Sequence, residues 1–172
     1  MYKTEAIITK VENFKENHLS ISVYSSQYGQ KSLVVFGGKS KKKNTTFVKG
    51  SFNNIEFDNN NVCLSSTSIN TFKWFLFSKY ELKAIDYFCF LINKLLFLAD
   101  QNSNVISYYL LLISKLNERS NYLPELLLLE LEILKASGYQ PDLNENVLKK
   151  IFNFRDKSNF KTYEHIYEHL KG

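Results

Sequence analysis

Lys39, Lys41, Lys42 and Lys43 place four ammonium groups within five positions, directly after Gly37-Gly38 and one strand beyond Lys31. That spacing suits contact with a phosphate backbone. Each lysine can neutralise one phosphate and release its counterions, and glycines let a backbone approach closely. A solvated loop between strands has the same composition, and the pattern alone favours neither reading. Two adjacent glycines are too little for a Walker lysine motif or a dinucleotide fingerprint. Aromatic residues lie among the same segments: Tyr24, Tyr28, Phe36, Phe47, Phe52 and Phe57. Flat rings beside a basic groove can stack bases. Tyr24 and Tyr28 flank a turn and are expected to be the exposed pair, whereas Phe36, Phe52 and Phe57 are expected in the core.

Other reactive side chains form no comparable constellation. His165 and His169 are spaced i and i+4 with Glu164 and Glu168 beside them. A zinc-protease helix needs Glu directly after the first His, and here Ile166 stands there. No third ligand is evident, so the pattern reads as a polar helix face and no metal or other cofactor is expected. Cys63 and Cys89 are too few for a disulfide framework or a four-ligand zinc site and read as small core residues. His18 lies in an expected turn beside Glu16, and nothing pairs it with either cysteine. With no nucleophile, base or carboxylate pair placed, an enzyme is not expected.

Two kinds of element must position these residues. In the first part, Glu5–Val11, Leu19–Tyr24, Ser32–Phe36, Phe52–Phe57 and Val62–Ser66 read as short strands. Leu19-Ser20-Ile21-Ser22-Val23-Tyr24 alternates strictly, the period of a half-buried strand. Residues 25–30 and Asp58–Asn61 read as turns. Five short strands with a long basic loop after the third suit a small closed barrel of the OB type, and a small sandwich or an SH3-like barrel fits nearly as well. The second part changes to helical spacing. Helices are expected over 79–98, from an Asn102 or Ser103 cap through Leu116, and from Pro124 to a stop at Gly138, with a weaker one near 147–154 and a last one at 163–170. The expected fold class is therefore α+β in two parts, an OB-type barrel over residues 1–72 and a helical bundle over 73–172.

Charge follows the same division. Residues 1–80 hold eleven Lys against five Asp+Glu, a balance of +6; residues 81–172 hold eleven Lys+Arg against twelve Asp+Glu, a balance of −1. The whole basic excess lies in the first part, which points to a polyanion partner. The 172-residue chain is long enough for a real core, and its 44% hydrophobic content places it among globular proteins. Met1–Val11 has no continuous apolar block of the secretory kind, and charged residues break every apolar run. A cytoplasmic protein without a membrane span is expected.

Two segments resemble a known family. Glu5-Ala6-Ile7-Ile8, Phe14-Lys15-Glu16-Asn17-His18-Leu19 and the run from Val23 to Lys41 resemble the opening of bacterial RecO: a strand, a Ser-containing turn ending in Gly, an apolar strand, then a Gly-plus-basic loop. Leu129-Glu130-Leu131-Glu132-Ile133-Leu134 and Gly138-Tyr139-Gln140-Pro141-Asp142-Leu143 are similar to the family's central helix and its Gly-Tyr-x-Pro-x-Leu ending, with Leu129 where Phe is usual. The resemblance implies an OB barrel followed by a helical domain. It also implies a non-catalytic recombination mediator that binds single- and double-stranded DNA and anneals complementary strands. With RecR, such a protein assists RecA loading onto DNA coated by single-strand-binding protein, whose acidic tail it contacts. DNA contact carries over onto Lys39, Lys41, Lys42 and Lys43, with Lys31 beside them. A protein-interaction adaptor that captures the acidic tail without touching DNA is the alternative. Many relatives carry Cys-x-x-Cys after the Pro-x-Leu segment. Here Asn144-Glu145-Asn146-Val147-Leu148-Lys149 stands in that place, so no zinc is implied, and the chain is short for the family between Leu148 and Tyr163.

Overall fold

The structure, a computed structural model, describes residues 1–40, 46–69, 78–96 and 104–138. It contains five strands, β1 (Tyr2–Phe14), β2 (His18–Ser25), β3 (Gly29–Val35), β4 (Phe52–Phe57) and β5 (Cys63–Ser68). Three helices come after them, α1 (Lys79–Leu95), α2 (Val105–Asn117) and α3 (Leu123–Ala136). The chain divides into two compact units, Met1–Phe72 with Ile92–Asn102, and Lys73–Leu91 with Ser103–Gly172.

The first unit is built on an antiparallel sheet of order β3-β2-β1-β4-β5. Alternation decides its inner face: Leu19, Ile21 and Val23 from β2 meet Ala6 and Ile8 from β1, Leu33 and Val35 from β3, and Ile55 and Phe57 from β4. Ile8 and Val11 both pack on this face although three positions apart, which strict alternation forbids. A bulge between Ile8 and Lys10 resolves the conflict by adding Thr9 to the strand. The edge strands meet at a parallel bridge between Val34 and Val62, where the Val34 N–H donates to the Asn61 carbonyl at 2.9 Å. The expected closed barrel is only partly realised. No continuous ladder joins β3 to β5 among the described residues, because β5 beyond Cys63 reads Leu-Ser-Ser-Thr-Ser and buries none of those side chains against the core.

The outer face is not uniformly solvated. Gln30, Tyr24, Ile7 and Phe52 stand side by side in register across four strands, and Tyr24 and Ile7 are fully buried. On this face Asn93, in the last turn of α1 and within the same unit, accepts hydrogen bonds from the Thr9 hydroxyl and the Gln30 amide, each at 2.8 Å.

In the second unit α1 starts with a reciprocal cap. The Ser78 N–H donates to the Glu81 carboxylate, and the Glu81 N–H donates to Ser78 Oγ. The N-cap of α2 is Asn104, without a side-chain cap bond, rather than the expected Asn102 or Ser103, which lie outside the described residues. Pro124 occupies the first turn of α3 as expected, and Gly138 lies just past its end at φ +84° with its N–H on the Lys135 carbonyl. Phe88 and Tyr109 stack at 4.4 Å between ring centroids and, with Leu112, Leu116, Leu126, Leu129 and Ile133, are buried. Cys63 and Cys89 are buried thiols, in keeping with small core residues. The expected helices near 147–154 and 163–170, and His165 and His169, lie outside the described residues.

Candidate nucleic-acid interface

The structure sorts the expected contact residues to two ends of the sheet. Lys31 lies near the start of β3 and Lys39 beyond its end, in the turn that follows. Lys41, Lys42 and Lys43 lie outside the described residues.

At the end formed by the β1–β2 turn, aromatic rings and cations gather. Phe14 closes β1 opposite His18, so their side chains share a face. His18 meets Phe36 edge-on at 4.8 Å, and the Gly37 N–H donates to His18 Nδ1 at 3.3 Å. Phe14 is 39% and Phe36 54% exposed. The Lys15 ammonium sits 5.5 Å from the Phe14 ring centroid, and Lys39 donates to the Lys15 carbonyl at 2.9 Å. Phe36 overturns the expectation that it belongs to the core. Leu33 and Val35 point inward, so by parity Phe36 points out, a conclusion the alternation of β3 already contained. The two glycines here have separate structural reasons. Gly37 holds φ +64°, and a Cβ on Gly38 would lie 2.9 Å from the Leu19 side chain. Both are required by the turn itself, whatever approaches it.

The other end is a shallow, open pocket of about 500 Å³. Three rings shape it. Tyr2 stacks on Phe57 at 5.2 Å, and Tyr28 meets both edge-on at 5.7 and 5.5 Å. Lys31 stands opposite Val23 on the inner face and lines the pocket with Asp58, Asn59 and Asn61 of the β4–β5 turn. That turn is tightly tied: Asp58 Oδ1 accepts the Asn60 and Val62 N–H groups at 2.9 and 2.8 Å, and Asn61 takes a left-handed φ of +58°. Tyr28 is half-buried and fits the expected exposed role in part. Tyr24 does not. It faces the outer surface where Thr9, Gln30 and Asn93 bond, and it is fully buried, so it cannot stack a base. Sequence pattern misses Tyr2, because a residue so near the start of the chain gives no periodic signal.

Electrostatics separates these lysines from the rest of the sheet. Lys3 pairs with Glu56 at 2.6 Å and Lys10 with Glu12 at 2.8 Å. The Lys3 hydrogen bond, helped by that of Ser65, holds the Glu56 carboxyl below the usual carboxylate range. Lys31 and Lys39 have no ion-pair partner among the described residues, which leaves their charge for an outside anion.

Residues 1–62 match the family described as recombination protein O, N terminal. The chain carries a RecO-family N-terminal domain. The matched stretch covers β1, β2, β3 and β4 and includes Phe14, His18, Phe36, Lys39 and Asp58. RecO N-terminal domains are OB folds, and this one ties the chain to recombinational DNA repair. A comparison with curated proteins finds no match. Among the described residues no helix is long and apolar enough to cross a membrane.

Proposed function

We propose that the sheet unit is an OB domain that holds the DNA backbone at the Phe14–Phe36 end, with the lysine run from Lys39 to Lys43 supplying phosphate contacts. In this reading the protein is a non-catalytic recombination mediator. It binds single- and double-stranded DNA, anneals complementary strands, and works with RecR to place RecA on DNA covered by single-strand-binding protein, whose acidic tail it also meets. The observation that carries the reading is the exposed Phe36 ring, set between His18 and the start of the lysine run. A ring offered beside ammonium groups suits stacking of a base while phosphates are neutralised. Annealing is a physical consequence, because a basic surface screens the repulsion between two phosphate backbones.

The test is titration of a fluorescent single-stranded oligonucleotide at several salt concentrations. The expected result is affinity that falls with salt at a slope of several phosphates and is governed by charge far more than by sequence. Lys41, Lys42 and Lys43 changed together to Glu should abolish binding, and Phe36→Ala should weaken it about tenfold with the slope unchanged. Absence of binding even at low salt would sink the reading and favour the tail-capturing adaptor.

A further inference from the structure

The pocket at the opposite end of the sheet has features that backbone neutralisation does not use. Its floor is aromatic: Phe57 is buried, and Tyr2, stacked on it, remains 40% exposed. Lys31 lines it without an ion-pair partner among the described residues. Its rim offers polar groups that the fold leaves unspent. Asp58 uses Oδ1 for two backbone N–H groups, while its Oδ2 and the side-chain amides of Asn59 and Asn61 have no hydrogen-bond partner among the described residues. The volume of about 500 Å³ falls within the roughly 300–1,000 Å³ of small-ligand sites.

We propose that this pocket receives one unstacked nucleobase bearing an exocyclic amino group, with its phosphate on Lys31. The base lies against Tyr2, and its amino group donates to Asp58 Oδ2. Because the turn bonds fix that carboxylate, its free oxygen is presented without reorganisation. Thymine has no amino group and offers only its N3–H, flanked by two carbonyls that the carboxylate repels. The inference deepens the DNA-binding reading and rests on it for the source of the base in a strand. A free nucleoside monophosphate has the same chemistry.

The experiment uses the full chain carrying ¹³C-labelled tyrosine rings. The Tyr2 and Tyr28 signals, assigned with Tyr2→Leu and Tyr28→Leu, are followed during addition of a 15-mer of deoxycytidine, a 15-mer of thymidine, or free deoxycytidine monophosphate. Ring-current shifts of both tyrosines are expected with the cytidine 15-mer, at an affinity at least several-fold above that of the thymidine strand. Tyr2→Leu should lower the affinity about tenfold, and Lys31→Met should reduce the salt slope by about one. If the parent binds the strand and neither tyrosine signal moves, the pocket assignment is wrong while the DNA-binding reading stands. Equal response to cytidine and thymidine strands would overturn the role of Asp58. Shifts with the monophosphate but with no strand would keep the pocket as a free-nucleotide site and remove the DNA-binding reading. No response to any of the three would overturn both.

Discussion

Asn93 grips Thr9 at two atoms: its Oδ1 accepts the Thr9 hydroxyl at 2.8 Å, and its Nδ2 donates to the Thr9 carbonyl at 3.2 Å. Thr9 is the extra residue of the β1 bulge and is fully buried, so its polar groups have no recourse to bulk water. The same Oδ1 also takes the Gln30 amide at 2.8 Å. Replacing Asn93 by Ala removes three hydrogen bonds at once, leaving the Thr9 hydroxyl only its longer bond to the Ser22 carbonyl at 3.2 Å. A loss of about 2–3 kcal/mol is expected, read as a lower denaturation midpoint in urea at unchanged slope. A midpoint within error of the parent would show that water replaces the amide without penalty.

Gly37 and Gly38 separate two kinds of glycine requirement. Gly38→Ala drives a Cβ to 2.9 Å from Leu19, a core side chain, and should destabilise the sheet unit by about 1–3 kcal/mol through local repacking. Gly37→Ala meets open space and should lose about 1 kcal/mol through its left-handed backbone. Thermal unfolding of the two variants should rank them in that order. The reverse order would mean that Leu19 yields readily.

The helical unit should be sensitive to alkali. Burial, with a smaller contribution from the Glu81 carboxylate, pushes the Tyr122 phenol up to about 12. Burial also raises Tyr109 well above its usual value. The folded state then keeps protons that the unfolded state releases near pH 10, so stability is intact below pH 10 and falls as pH rises towards 12. Absorbance at about 295 nm should show a late phenolate transition coinciding with loss of helicity. Tyr122→Phe should make the decline in stability shallower, and an unchanged decline would assign it elsewhere.

Much of this arrangement is legible in the sequence because it rests on local rules. Strict alternation in β2 determines which of its residues face inward, and Pro124 and Gly138 bracket α3. The misplaced residues each have a different cause. Tyr24 obeys the alternation and points outward, yet it is fully buried on a face where Asn93, distant in the chain, bonds Thr9 and Gln30, which no local pattern reports. Composition misjudges Phe36, whereas parity alone places it outside. The pocket joins the first residues of β1 to the β2–β3 and β4–β5 turns, so it exists only once the register is known.

The bond from Lys39 to the Lys15 carbonyl and the close seating of Gly38 on Leu19 fasten the chain at the start of the lysine run. Such an anchor fixes the point at which the basic segment begins, whatever that segment's length and composition. Lineages could therefore lengthen, shorten or recharge this segment without redesigning the sheet. The grip on polyanions would then be adjustable, like a dial mounted on a fixed post.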